Sequence, residues 1–141
     1  MPISVKVSRG LLTPAGEREV LPRLGRALLE AHGLGDNAFM AKNVVGRLEV
    51  SEPGRSYVGG EPKSLAIIEI KVPSATFRDR ATQQRFVAQA TDVIDALKAG
   101  DHPKARTYVN VTYAVDGAWG IAGQAYTNEE LGAAIAASAA S

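Results

Sequence analysis

The amino-acid sequence has no cysteine and only two histidines, His32 and His102, which lie far apart in the chain. Disulfides, thiolate catalysis and cysteine metal sites are therefore excluded, and a metal site would need carboxylates as its remaining ligands. No apolar run reaches transmembrane length, and the residues after Met1 show no charged-then-apolar signal pattern. We therefore expect a soluble, cytoplasmic protein without cysteine chemistry.

The sequence also lacks an excess of charge of either sign. Sixteen Lys and Arg residues against fifteen Asp and Glu give a net charge of +1, and the basic residues are scattered without a dense run. Nucleic-acid binding by counterion release needs a clustered basic face, so this class of function is disfavoured. The 141 residues, 45% of them hydrophobic, are enough for a single domain, 1–141, with a buried core.

The chain contains a weak internal repeat with an offset of 63 positions. Apolar residues coincide at this offset along both halves, and so do the glycines Gly54 and Gly117. We interpret the chain as two copies of one unit, residues 2–63 and 64–126, followed by a tail, 127–141.

Each unit is expected to contain two strands. Alternating residues 3–8 and the β-branched run 65–72 indicate the first strand of each unit. Residues 44–50 and 107–115 indicate the second strand.

A helix is expected between the two strands of each unit. The spacing of Leu24, Ala27, Ala31 and Leu34 is typical of an amphipathic helix, and Thr13-Pro14 resembles its N-cap and first turn. Residues 79–99 predict the second helix. Pro22 is expected either to bend the first helix or to lie where its regular part begins.

These units predict an α/β (α+β) fold with a four-stranded sheet and two helices on one face, because a crossover helix gives parallel pairing. The Gly-rich segments 54–60 and 117–123 are expected to form short hairpin strands. The other sheet face stays uncovered, and oligomerisation around a symmetry axis is the simplest way to cover it. The tail either forms a helix from Asn128 or frays.

The second residue is Pro2, and methionine is normally trimmed when a small residue such as proline follows it. The mature chain is therefore expected to begin with a free prolyl amine. A secondary amine is a rare general base, and burial or nearby cations lower its pKa towards neutrality. The alternative is that Pro2 only starts an edge strand.

Pro2-Ile3-Ser4-Val5, Leu12-Thr13-Pro14, Tyr57-Val58-Gly59-Gly60 and parts of residues 106–123 together resemble the tautomerase superfamily. That superfamily includes 4-oxalocrotonate tautomerase (4-OT), 5-carboxymethyl-2-hydroxymuconate isomerase, macrophage migration inhibitory factor and cis-3-chloroacrylic acid dehalogenase. The resemblance extends from Pro2 to about Tyr126 and implies a homotrimer of two-unit chains. It also implies a cofactor-independent tautomerase or isomerase of small 2-oxo acids. Pro2 would be its catalytic base, moving a proton between the enol oxygen and a carbon.

Lys42, at the start of the strand that carries Arg47, is expected to approach the pocket, and the resemblance implies five further substrate-binding residues: Arg47, Tyr108, Asn110, Trp119 and His32. Each has a structural alternative. Arg47 is otherwise a solvated strand charge, Tyr108 and Asn110 pack on a sheet face, and Trp119 packs in a hairpin. His32 ends a helix, where a histidine is also favourable for structural reasons.

The sequence departs from the superfamily at the residues that would bind the substrate carboxylate. Val72 and Ala75 occupy the places of two dehalogenase arginines, so hydrolytic dehalogenation is disfavoured and Lys71 or Arg78 is left as a substitute cation. Two alternatives to a tautomerase stay open. One is a hydratase, dehalogenase or decarboxylase acting on a small unsaturated or 3-oxo acid. The other is a non-catalytic trimeric binding module.

Overall fold

The computed structural model describes the backbone of residues 1–140 and the side chains of residues 1–139. Along the chain the elements are β1 (Pro2–Ser8), α1 (Pro14–Ala31), α2 (Ala38–Asn43), β2 (Val45–Ser51), β3 (Tyr57–Val58), β4 (Glu61–Pro62), β5 (Ala66–Pro73), α3 (Arg80–Leu97), β6 (Thr107–Ala114), β7 (Trp119–Ile121), β8 (Gln124–Tyr126) and α4 (Asn128–Ala140). A 3₁₀ turn, Lys104–Arg106, precedes β6. No helix in this range is long and apolar enough to cross a membrane.

The central sheet has four strands in the order β2–β1–β5–β6. β1 runs parallel to β2 and β5 runs parallel to β6, with α1 and α3 as the crossovers. The two central strands, β1 and β5, are antiparallel. The predicted fold class, a four-stranded sheet built from two strand–helix–strand units, is confirmed.

One face of the sheet is the core. Successive strand side chains point to opposite faces, and Ile3, Val5 and Val7 on β1 are at most 3% exposed. The same alternation buries Ile68 and Ile70 on β5. Both long helices pack on this face, and their buried side chains include Leu24, Leu28, Phe86, Ala90 and Ile94. Burying an aliphatic or aromatic side chain stabilises the fold by about 1.5–3 kcal/mol.

The opposite face is uncovered in the single chain, and we call it the open face. Its side chains alternate with those of the core and are exposed or half-buried. It carries Pro2, Ser4, Lys6, Val45, Arg47, Glu49, Ile67, Glu69, Lys71, Tyr108, Asn110 and Thr112.

Helix α1 begins as the sequence predicts and continues through Pro22. The hydroxyl oxygen of Thr13 accepts a hydrogen bond from the Gly16 backbone at 2.9 Å, and Pro14 occupies the first turn. Pro22 is exposed, so water can solvate the carbonyl that lacks a helical donor. The helix packs so closely on β2 that a Cβ at Gly46 would lie only 2.6 Å from Leu21 Cδ2. Glycine at position 46 therefore permits this packing.

Helix α2 is held largely by α4 at the end of the chain. Asn37 caps α2 by accepting from the Met40 backbone at 3.0 Å, and its amide nitrogen donates to the Ile135 carbonyl at 3.0 Å. Leu131 of α4 is 3% exposed and belongs to the hydrophobic core. The tail is therefore a helix up to Ala140, which was one of the two expected outcomes.

Both predicted hairpins are present, at opposite ends of the sheet. The β3–β4 hairpin lies near the end of β1, where Ser8 and Ser56 hydroxyls are 3.3 Å apart. The β7–β8 hairpin lies near Pro2 and turns through Ala122 and Gly123, both with positive φ. The start of β1 therefore lies beside a hairpin that belongs to the second half of the chain.

Candidate active site

Pro2 is the first residue of central strand β1, and it is exposed on the open face. The parallel register pairs it with Val45 on β2. The antiparallel register pairs Ile3 with Ile70, so the preceding residue, Pro2, lies opposite Lys71 on β5. The sheet therefore places Pro2 between an apolar side chain and a cationic one.

A cavity of about 580 Å³ lies on the open face beside Pro2. Its polar lining combines two cations with two carboxylates and two hydroxyls: Arg47, Lys71, Glu49, Glu69, Ser4 and Thr112. Val45 adds an apolar side chain, and Ile3 and Ile70, whose side chains point into the core, also belong to the lining. The volume and lining suit a small, charged organic molecule.

A second cavity of about 300 Å³ lies between Pro2 and the β7–β8 hairpin. It is lined by Met1, Pro2, Asn43, Val45, Lys71, Ala114, Ala118, Trp119, Gly120 and Ile121. Pro2, Val45 and Lys71 line both cavities, so these three residues stand at their junction. A ligand in either cavity reaches Pro2.

The environment at the start of the chain disfavours a charged amine. Met1 is 2% exposed, its amine donates to the Asn43 carbonyl, and its own carbonyl accepts from the Val45 backbone at 3.2 Å. Burial lowers the pKa of the Met1 amine to about 6. Desolvation therefore favours the neutral form of the Met1 amine.

The structure separates the candidate cations. Arg47 and Lys71 line the cavity beside Pro2, and neither forms an ion pair within residues 1–140. Arg78 donates to the Ser74 carbonyl at 2.6 Å and lines neither cavity. Lys42, in the last turn of α2, is exposed and also lines neither cavity, although its neighbour Asn43 lines the smaller one.

Tyr108 and Asn110 are on the open face but outside both cavities. Asn110 pairs with Glu69 and Tyr108 with Ile67, whereas Thr112 pairs with Lys71. At about 3.3 Å per residue, Tyr108 lies roughly 13 Å along β6 from Thr112. Within one chain, therefore, Tyr108 and Asn110 do not reach Pro2.

Trp119 lines the smaller cavity together with Pro2 and is 7% exposed. It is the first residue of β7 and also belongs to the hydrophobic core. Trp119 therefore both packs in the core and contacts the smaller cavity.

His32 is held by structural contacts at the end of α1. Its Nδ1 lies 2.8 Å from the Leu28 carbonyl oxygen, its Nε2 lies 3.2 Å from the Thr76 hydroxyl, and its ring stacks on Phe77 at 5.3 Å between centroids. Burial lowers its pKa, and the amino-terminal charge lowers it further. His32 lines neither cavity.

Several lining residues are absent from the set suggested by the sequence. Glu49, Glu69 and Thr112 have the strand parity of Arg47 and Asn110, so the alternation pattern alone could have indicated them. Met1 carries no such signal, because only the folded chain shows that its backbone is bound beside Pro2.

Comparison with protein-family models and with curated proteins yields no match. Comparison with solved structures does. A fused 4-OT described as a symmetric trimer has a TM-score of 0.75 at 16% identity, covering 94% of this chain and 99% of the other. A protein inactivated by 2-oxo-3-pentynoate also has a TM-score of 0.75, at 14% identity and the same coverage. This chain has the tautomerase-superfamily fold.

A third solved structure with this fold is a member of the cis-3-chloroacrylic acid dehalogenase family. Its TM-score is 0.71 at 14% identity, covering 94% of this chain and 89% of the other. The superfamily fold thus occurs in proteins named for different reactions. The resemblance noted in the sequence is confirmed for the fold, and the activity has to be argued from the site.

Proposed function

We propose that the chain is a cofactor-independent tautomerase or isomerase of small 2-oxo acids, with Pro2 as its general base once Met1 is removed. The observation that carries this proposal is the position of Pro2 at the junction of two cavities, opposite Lys71. An exposed Pro2 beside a cation favours catalysis over a non-catalytic binding module.

The base is the secondary amine that removal of Met1 would create. Burial lowers the pKa of the Met1 amine, one residue before Pro2, to about 6 in the chain that retains Met1. The positive charges of Lys71 and Arg47, which line the same cavity, act in the same direction. An amine with a pKa near neutrality can both accept and return a proton.

The reaction is a proton transfer within the substrate. The Pro2 nitrogen takes the proton of the enol hydroxyl, and the oxygen lone pair forms the ketone as the C=C electrons move to carbon. The protonated amine then delivers the proton to that carbon, so atoms and charges balance. The substrate carboxylate would be held by Lys71 or Arg47, whose ammonium and guanidinium groups have no ion-pair partner within residues 1–140.

We also propose a homotrimer. The open face carries the exposed apolar side chains Val45 and Tyr108, at 55% and 46% exposure, beside its charged residues. A similar solved structure is described as a symmetric trimer. Packing of three sheets around one axis would cover this face and enclose the cavity beside Pro2.

A hydratase or dehalogenase is the second candidate, and one observation favours it. Glu49 and Glu69 line the cavity of Pro2, and a carboxylate beside the base can activate water for addition to an unsaturated acid. The same fold in a member of the cis-3-chloroacrylic acid dehalogenase family agrees with this possibility. Val72 and Ala75 lack the cations expected for that reaction.

The first test is the mass of the purified protein, which should correspond to a chain without Met1. Wild type should then ketonise phenylenolpyruvate or 2-hydroxymuconate, and Pro2→Ala should lower kcat/KM by about 10²-fold, the lower end for loss of a general base. Pro53→Ala, at an exposed turn away from Pro2, is the matched control. Equal rates for wild type and Pro2→Ala would refute the proposal, as would full activity in a chain that retains Met1.

A second test uses 2-oxo-3-pentynoate, which inactivated one of the similar proteins. The compound should modify Pro2 and abolish activity in step with the modification. Peptide mapping by mass spectrometry would locate the adduct. Modification elsewhere, with Pro2 intact and activity lost, would argue against the prolyl amine as the reacting group.

A further inference from the structure

The backbone of Met1 forms two hydrogen bonds with the segment that enters β2. Its amine donates to the Asn43 carbonyl, and its carbonyl oxygen accepts from the Val45 N–H at 3.2 Å. Val45 is the first residue of β2, which is an edge strand of the sheet. When Met1 is removed, the Val45 N–H loses the acceptor that it has in the structure.

The freed donor lies beside the proposed base. The carbonyl carbon of Met1 is bonded to the Pro2 nitrogen, so a hydrogen-bond acceptor in place of the Met1 oxygen lies roughly 2–3 Å from that nitrogen. Val45 lines both cavities that Pro2 lines. A ligand atom that approaches the amine can therefore also reach the Val45 N–H.

We infer that the Val45 N–H donates a hydrogen bond to the substrate oxygen that alternates between enol and ketone. This inference rests on the proposed function and names a residue that the reaction would use. As Pro2 removes the enol proton, negative charge develops on this oxygen, and a fixed N–H donor stabilises it more than it stabilises the starting enol. Removal of Met1 would thus create the base and the donor together.

Val45→Pro removes this N–H, and the local backbone suits proline. Proline is tolerated at the first residue of a strand and on sheet edges, and Val44 has the extended conformation, φ −86° and ψ 110°, that precedes proline favourably. The Val45 side chain is 55% exposed, so the substitution leaves the core intact. Val45→Ala is the matched control because it shortens the side chain and keeps the N–H.

For ketonisation of phenylenolpyruvate we expect Val45→Pro to lower kcat by about 10²-fold, as for removal of one oxyanion donor. KM should change much less, and Val45→Pro should lose clearly more kcat than Val45→Ala, which alters the same cavity wall but keeps the N–H. Far-UV circular dichroism and thermal unfolding verify the fold of each variant. A folded Val45→Pro protein with wild-type kcat would overturn the inference, whereas equal rates for wild type and Pro2→Ala would instead overturn the proposed function.

An ester bond in place of the amide between residues 44 and 45 gives the same test without a change of side chain. Replacing Val45 by its α-hydroxy acid keeps the isopropyl group and removes only the N–H. This protein should show the same loss of kcat if Val45→Pro fails to fold. An unchanged kcat in the ester protein would refute a role for the Val45 N–H in the reaction.

Discussion

Lys71 lies opposite Pro2 across the two central strands and lines both cavities that Pro2 lines. Arg47 lies on the other neighbour of β1, strand β2, where it is paired with Ser4 rather than with Pro2, and it lines only the larger cavity. Both are exposed cations, but only Lys71 stands at the junction of the two cavities. Position therefore favours Lys71 as the group that holds a substrate carboxylate next to the amine.

We predict that Lys71→Met raises KM for phenylenolpyruvate by about tenfold or more, because a hydrogen bond to a charged group contributes about 1.5–3 kcal/mol. It should also raise the pKa of the base seen in the pH profile of kcat/KM, since a positive charge is lost beside the amine. Lys71→Arg should restore part of the binding. Lys6→Met, on the open face of the same sheet but lining neither cavity of Pro2, is the control.

The sequence indicates the base of the candidate site but not the cation beside it. Pro2 could be singled out because an amine at the start of a strand has distinctive chemistry. The choice among Arg47, Lys71 and Arg78 could not be made, because it depends on strand register and on hydrogen bonds such as that of Arg78 with Ser74. Likewise, nothing in the sequence indicates that Val45 donates to Met1.

Helix α1 ends at His32, which is its C-cap residue. A positive charge at a helix C-terminus is ordinarily favourable, yet the pKa of His32 is lowered, chiefly by burial. Desolvation therefore outweighs the hydrogen bond to the Leu28 carbonyl, which by itself raises the pKa. The ring contacts Leu28, Thr76 and Phe77, and its burial favours the neutral form.

We predict that the free energy of unfolding falls as the pH drops below about 6.5, the ordinary pKa of histidine. The unfolded chain binds a proton on His32 more readily than the folded chain does. The stabilisation is therefore complete above about pH 6.5 and is lost as the pH falls through the lower pKa of the folded chain. His102 acts in the same direction, because burial and the charges of Arg106 and Lys98 lower its pKa.

Urea unfolding of wild type and His32→Gln between pH 5 and 8 would measure this effect. The variant should lose part of the pH dependence, and His32→Gln with His102→Gln should lose more. If the free energy of unfolding of His32→Gln changed with pH as steeply as that of wild type, His32 would titrate alike in the folded and unfolded chain, and the prediction would be wrong.

Local pattern accounts for the long elements better than for the short ones. The predicted strand 65–72 is observed as Ala66–Pro73, and the predicted helix 79–99 as Arg80–Leu97. Helix α2 has only six residues, too few for a periodic signal, and it depends on Met40 burial and on the bond from Asn37 to α4. Tertiary contacts of that kind are not visible in a local pattern.

In the proposed homotrimer, neighbouring copies cover the open face of the sheet. Its two edges differ, with β2 at one side and β6 at the other. A ring of three identical copies brings unlike edges together, so the β6 edge of one copy meets the β2 side of the next. Tyr108 and Asn110, which lie outside the Pro2 cavity of their own chain, are carried on β6.

We therefore predict that Tyr108 serves the site of a neighbouring copy, and that Tyr108→Ala lowers activity although Tyr108 is remote from Pro2 in its own chain. Trimers that mix Pro2→Ala and Tyr108→Ala chains should be more active than the mean of the two pure trimers. Some of their sites would combine an intact Pro2 with an intact Tyr108 from different chains. The two chains would carry different carboxyl-terminal tags, because an amino-terminal tag would block the amine. If site and tyrosine belonged to one chain, every mixed site would keep a defect and the activity would equal the mean.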